Sequence, residues 1–369
     1  MMRKLMLLVG IMLVLSIGAA IIISLSEQKK EIELLEEGDK LQIMTTFYPI
    51  YMIGVNIAEG IDDIEIKNLT DLNTGCLHDY QLTTEDMRNI SESDILIVNG
   101  GGMEGFLSDV EENYPGLVII DSSKGIEMLH NGESAEEHAE HASEILTDGN
   151  SEKENREEEH DEEEHDEEVH DEKEHDEAGH DHGEWNAHVW LDPELYIKQI
   201  ENVRDGILAY IEESRPNAAN LEQAVISNAQ AYIDKVTSLN QEVKDYAKKF
   251  DADRTGQSTD HREVVIFHDS FAYLANRIGM KVAYSIPLDS DTSLSAGEIA
   301  EIVQEVKKDH IQYLFTEEQF SDSIAKQIAA ETGARVYIID SAVTGDGSQD
   351  SYIKAIEANL AILEDVKSE

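Results

Sequence analysis

The sequence predicts an α/β protein of two lobes, each with a central, mostly parallel sheet flanked by helices, joined by one long rigid helix. Three observations predict it. Short apolar runs alternate with helical patterns from residue 41 to 121, the signature of βαβ units feeding a parallel sheet. The same alternation returns between residues 263 and 363. Between the two, residues 217–250 carry a helical apolar pattern with no proline or glycine, about 50 Å long at 1.5 Å per residue. Its apolar spacing drifts between three and four and spans fewer than five heptads, which favours a spine between lobes over a coiled coil.

Within the first lobe, residues 41–47 alternate as a first strand, and Pro49 precedes a helix to residue 59. Residues 64–69 form a second strand, and Thr83 starts a helix with acid in its first turn. The run 94–99 reads as a buried strand ending in Gly100-Gly101-Gly102. A helix over 103–112 and a strand over 116–121 follow, and a helix over 193–211 resumes the pattern. In the second lobe, strands are predicted at 263–267, 281–286, 312–316 and 335–340, with helices at 270–278, 295–308, 321–332 and 352–363. The resulting division is 1–25 as signal peptide or membrane anchor, 26–40 as spacer, 41–216 as first lobe, 217–250 as linking helix and 251–369 as second lobe.

The acidic balance narrows the partners. Net charge is −51 over 369 residues, with no basic patch, so nucleic acid is not an expected partner. Arg3 and Lys4 precede an apolar run of 21 residues from Leu5 to Leu25, just long enough to span a bilayer. Positive charge before the run places the rest outside the cytoplasm; Gly18-Ala19-Ala20 offers a cleavage site. Because the apolar run continues past Ala20, an uncleaved anchor over residues 5–25 is the expectation. The amino-terminal segment has no cysteine, so no lipid anchor is expected. Cys76 is the one cysteine of the chain, so no intramolecular disulfide forms.

Residues 133–184 interrupt the first lobe with an insertion in which His160, His165, His170 and His175 repeat at five-residue intervals, followed by His180 and His182. From 151 to 184 it holds 19 acidic against 3 basic residues and almost nothing apolar. Such a segment cannot bury enough surface to offset chain entropy, so it is expected to be disordered. A run of this charge without histidine would read as a solvated linker. Regular histidines make it an auxiliary, low-affinity metal loop.

A tight site needs ligands on rigid elements, and open parallel sheets bind ligands beyond the carboxyl ends of their strands. Outside the tract, His78, His188 and His268 sit at such places, with Asp340 at another strand end. A single histidine is more often a hydrogen-bonded loop or core residue, and neither a zinc-ribbon spacing nor His-Glu-x-x-His is present. Cys76, Asp79, Asp269, Glu317 and Glu318 are further candidates for ligation or for support. A lone cysteine is more often a small core residue, so loss of its thiol is expected to leave metal affinity nearly unchanged.

The ordered segments Thr45-Thr-Phe-Tyr-Pro49, Gly75-Cys-Leu-His-Asp-Tyr80, Asn99-Gly-Gly-Gly-Met-Glu104, Asn186-Ala-His-Val-Trp-Leu-Asp-Pro193, Phe267-His-Asp-Ser-Phe271, Leu314-Phe-Thr-Glu-Glu-Gln-Phe320 and Asp340-Ser341 resemble the metal-binding component of zinc and manganese ABC importers, a family that includes adhesin-like proteins. The resemblance covers residues 41–363. It implies two α/β lobes on a rigid helix with the metal in the cleft. His78, His188 and His268 would be the first three ligands, and Asp340 a fourth of acidic type. Cys76 departs from the family, which more often has an acidic or apolar residue there. The acidic, His-rich insertion is a decoration of the zinc members. A third histidine in the family suggests Zn2+ over Mn2+, and three imidazoles with one carboxylate suit tetrahedral zinc. Copper and nickel accept the same donors.

On that resemblance the chain is expected to be an extracytoplasmic monomer that captures zinc and passes it to an ABC permease. Asp79 and Asp269 each follow a histidine and are placed to orient an imidazole. The rival expectations are a manganese importer component, an extracellular metal buffer or adhesin, and a zinc hydrolase. The hydrolase lacks an evident general base, and four protein ligands would close its metal to water.

Overall fold

The structure, a computed structural model, describes residues 40–78, 80–130, 185–253, 263–286, 294–317 and 322–367. The amino-terminal run, the His-rich insertion, Asp79 and Glu318 lie outside the described residues.

Two four-stranded parallel sheets are built the same way. The first holds β1 (Leu41–Thr45), β2 (Ile64–Asn68), β3 (Ile95–Val98) and β4 (Val118–Asp121) in the order β2-β1-β3-β4. The second holds β5 (Glu263–Ile266), β6 (Lys281–Ser285), β7 (Tyr313–Glu317) and β8 (Arg335–Ile339) in the order β6-β5-β7-β8. Each order reverses beside its first strand, so each sheet has a switch point at the carboxyl ends of its two central strands, where α/β sheets leave a crevice. In β5, successive residues face opposite ways. Val264 and Ile266 enter the large core, whereas Val265 and Phe267 enter a second apolar cluster. That second cluster is completed by residues of helices α7 (Ala296–Lys308) and α8 (Ser323–Thr332).

The helices are placed by local chemistry. Helix α1 (Tyr48–Ile57) has Pro49 in its first turn, where the missing N–H costs nothing. Helix α2 (Thr84–Ser91) starts at a reciprocal capping box between Thr83 and Asp86, and α7 starts at the equivalent box between Ser295 and Glu298. Helix α3 (Leu107–Asn113) starts four residues later than expected. The cause is the glycine triplet: Gly100, Gly101 and Gly102 all adopt positive φ, at 83°, 65° and 87°, and hold the chain in a turn that no helix can begin from. A Cβ on Gly100 would fall 2.0 Å from Asp121 Oδ1. Helix α4 (Pro193–Ser214) is capped by Asp192, whose carboxylate accepts from Glu194 N–H at 2.8 Å.

The spine is α5 (Ala219–Asp253), 35 residues. It buries Leu221, Val225, Ala229, Val236, Leu239, Val243, Tyr246 and Phe250 along one stripe. That stripe packs on α4 and α1 of the first lobe, and on α6 (Ala272–Arg277) and α9 (Ser351–Lys367) of the second. Tyr246 also donates to the Leu363 carbonyl at 2.8 Å.

One apolar cluster runs without a break through both lobes. Polar contacts reinforce it. Trp190 Nε1 donates to the Ser341 carbonyl at 2.8 Å, and Tyr352 Oη to the Trp190 carbonyl at 2.7 Å. Arg277 Nε donates to the buried Asp192 carboxylate at 2.8 Å. Each large apolar side chain fully buried here contributes roughly 1.5–3 kcal/mol.

Candidate metal centre

Residues from both lobes meet between the carboxyl ends of the sheets. The segment 69–83, between β2 and α2, brings Cys76 and His78. Leu77 between them is fully buried in the core, which leaves its two neighbours to face the cleft. His188 precedes a short 3-10 turn (Val189–Leu191) leading into α4. His268 follows β5 and opens a second 3-10 turn (Asp269–Phe271) before α6. His188 and His268 are 3% and 6% exposed, rare values for groups able to carry charge.

The imidazoles converge. Nε2 of His78 lies 3.3 Å from Nε2 of His188. The ring centroids of His188 and His268 are 4.6 Å apart, and those of His78 and His268 6.3 Å. Cys76 Sγ lies 3.6 Å from His188 Nε2. Cys76, His188 and His268 each offer a donor atom within 4.8 Å of the others.

Two of the rings are aimed from behind. Asn186 Oδ1 accepts from the His188 backbone N–H at 3.0 Å and faces His188 Nδ1 at 2.9 Å. An amide oxygen only accepts, so the Nδ1 proton sits there and Nε2, which faces Cys76 and His78, is the nitrogen whose lone pair would bind metal. Asn186 also crosses the cleft, donating through Nδ2 to the Asp269 carbonyl at 2.9 Å. Glu317, the last residue of β7, faces His268 Nδ1 at 2.6 Å and accepts from Ser270 Oγ at 2.5 Å. Burial pushes the Glu317 carboxyl up, but the His268 imidazole and the hydroxyls of Ser270 and Ser341 pull it down further, leaving it below the usual glutamate value. Since β5 and β7 are the central strands of the second sheet, His268 and Glu317 together occupy its switch point.

At the matching point of the first sheet lies a wholly buried carboxylate, Glu104. It accepts from Thr46 Oγ1 at 2.7 Å, Asn99 N–H at 2.7 Å and Gly100 N–H at 3.1 Å. Burial pushes its pKa up to about 7 despite these bonds. Asn99 in turn donates through Nδ2 to the Ala187 carbonyl at 2.9 Å, which fixes the backbone next to His188.

Two further sequence candidates make contacts of their own. Asp269 accepts from Ser285 Oγ through its carboxylate, so the acid that meets His268 is Glu317. Asp340 Oδ1 accepts from Ala342 N–H at 2.8 Å. Ala342 has a φ of 55°, and this side-chain bond holds the turn that presents the Ser341 carbonyl to Trp190. Neither Asp340 nor His78 is in the group of Cys76, His188 and His268 whose donor atoms lie within 4.8 Å of one another among the described residues; His78 is placed by its 3.3 Å approach to His188. Sequence reasoning passed over Asn186. The signal was present: it stands two residues before His188, as Cys76 stands two before His78.

Two parallel-sheet lobes on a long helix, with histidines from both facing one another in the cleft, define a metal-binding, two-lobed solute-binding protein. The chain belongs to the family "Zinc-uptake complex component A periplasmic", whose model matches residues 43–366. The high-affinity zinc uptake system protein ZnuA of Bacillus subtilis is 26% identical over 336 residues, covering 89% of this chain and 88% of that protein. The zinc-binding lipoprotein AdcA of Streptococcus pneumoniae is 26% identical over 359 residues; the match takes in 95% of this chain but only 60% of AdcA. Among solved structures, the SBP FpvC of Pseudomonas aeruginosa, in complex with Ni2+, superposes with a TM-score of 0.62 at 18% identity, covering 90% of this chain and 98% of its own. At that identity the likeness is one of fold.

Proposed function

We propose that the cleft captures Zn2+ through His78, His188 and His268 and that the loaded protein delivers it to an ABC permease for import. One observation carries the reading. Nε2 of His78 and of His188 in the first lobe lie 3.3 Å apart, His268 of the second lobe offers a donor within 4.8 Å of His188, and the Nδ1 atoms of His188 and His268 face Asn186 and Glu317. Nitrogen donors held this way suit zinc better than manganese, which prefers more oxygen and a higher coordination number. The family is a binding component of an uptake system, not an enzyme.

Metal bound between lobes favours the arrangement in which the donors already converge, and the shift in population equals its differential affinity for that state. Among the described residues no helix is long and apolar enough to cross a membrane. The apolar run of residues 5–25 after Arg3 and Lys4 supports a tethered monomer on the outer side of the membrane, beside its permease. The acidic, His-rich composition of the insertion supports a role in raising local metal concentration.

Titration calorimetry of the full chain with Zn2+ and Mn2+ tests the reading. One tight zinc site is expected, lost in His188→Ala and His268→Ala, with manganese bound far more weakly. Unchanged zinc binding in both variants would place the metal elsewhere.

A further inference from the structure

We infer that the thiolate of Cys76 is the fourth ligand, so that the cleft offers three imidazoles and one sulfur. The inference rests on the zinc reading above and adds the residue that sets metal preference.

The distances carry it. With Zn–N bonds of about 2.0–2.1 Å and a Zn–S bond of about 2.3 Å, a tetrahedron separates two nitrogens by about 3.3 Å and a nitrogen from a sulfur by about 3.6 Å. The His78–His188 Nε2 separation is 3.3 Å and the Cys76 Sγ–His188 Nε2 separation 3.6 Å. His268 offers its donor within 4.8 Å of both Cys76 and His188. Cys76, His188 and His268 thus stand at spacings one small ion can span, and His78 joins them through its 3.3 Å approach to His188. The backbone agrees: with Leu77 sunk in the core, residues 76 and 78 project together on the cleft side, so whatever holds His78 in place holds Cys76 too. The acid expected as fourth ligand, Asp340, has its Oδ1 committed to the Ala342 turn.

A sulfur donor changes what the cleft selects. Thiolate is soft, so it strengthens binding of zinc and cadmium and works against manganese, which an oxygen at that position would favour. Binding removes the thiol proton, since the thiolate is the ligand. Four protein ligands also close the coordination sphere and leave no position for an activated water.

Cobalt(II) is the probe, because a thiolate on cobalt gives a near-ultraviolet charge-transfer band that imidazole and carboxylate do not. The full-length chain loaded with cobalt should show that band. Cys76→Ser and Cys76→Ala should lose it while still binding cobalt through the histidines, and Asp340→Asn should keep it. Zinc affinity in Cys76→Ser should fall by about tenfold or more, at least what loss of a supporting residue costs. Zinc should also protect the wild-type thiol from alkylation. Cobalt bound without the band, in a wild-type protein whose binding is lost in His188→Ala, would overturn the thiolate and leave the three-histidine reading standing. Binding unaffected by His188→Ala would remove that reading itself. Should the Cys76 variants fail to fold, the wild-type band and the protection from alkylation decide alone.

Discussion

Glu317 Oε1 lies 2.6 Å from Nδ1 of His268, a contact made across 49 residues of chain between the two central strands of the second sheet. The carboxylate fixes the ring and raises its basicity, and the same oxygen accepts the Ser270 hydroxyl.

Glu317→Ala is therefore expected to lower zinc affinity about 10–100-fold without touching a ligand. Glu317→Gln, which keeps an acceptor oxygen, should lose less. Calorimetry on both, with thermal unfolding as control, separates positioning from collapse: equal losses together with a large drop in melting temperature would make the role structural.

His268→Ala is expected to weaken zinc binding far more than deletion of residues 133–184. The cleft side chains stand on packed elements, whereas ordering a residue on binding costs roughly 1–2 kcal/mol, and the insertion has almost nothing apolar to offset it. Near-equal losses in calorimetry would make the insertion the main site.

Arg277→Ala should destabilise the metal-free protein by on the order of 2–4 kcal/mol, because it strands the buried Asp192 carboxylate. The cost stays below that of a sealed pair, since the Arg277 side chain retains 24% exposure. Urea unfolding of wild type and variant in chelator measures it.

Glu104 sets a pH dependence whose sign follows from its raised pKa. Between its unfolded value near 4.5 and the folded value of about 7, the native state binds the proton more tightly. Its contribution is full below about pH 4.5, shrinks through this window and levels off above about pH 7, a loss on the order of 3 kcal/mol. Metal-free wild type should thus lose stability relative to Glu104→Gln between pH 5 and pH 7.5. A difference that is flat with pH, in urea unfolding of the two proteins, would mean that the carboxyl is already ionised at pH 5.

Much of the architecture was legible because buried parallel strands are short apolar runs between turn residues, as at 95–98, and because the spine shows itself by a long stretch without proline or glycine. The errors lie at element edges. The helix expected from 103 begins at Leu107, since three left-handed glycines precede it. The helix expected from 270 begins at Ala272, after a separate 3-10 turn. Of the candidate centre, the histidines could be named, and Cys76 and Glu317 stood among the further candidates, but not which of them face one another. Cys76 and His188 are 112 residues apart and His268 and Glu317 are 49 apart; no local periodicity reports such pairings. Asp340 drew attention by its place at a strand end; its Oδ1 also accepts from a neighbouring turn, a contact that only three-dimensional coordinates report.

The tie from Trp190 to the Ser341 carbonyl, with Tyr352 clasping Trp190 from the far side, has a bearing on transport itself. Halves joined at this depth by buried contacts resist gaping like a flytrap to swallow or drop an ion. Small displacements of cleft side chains disturb less packing than parting the lobes, and the segment 69–83, which carries Cys76 and His78, holds neither helix nor strand among its described residues. The work of prising the ion loose then falls to the membrane complex that receives it, not to any spring within the carrier.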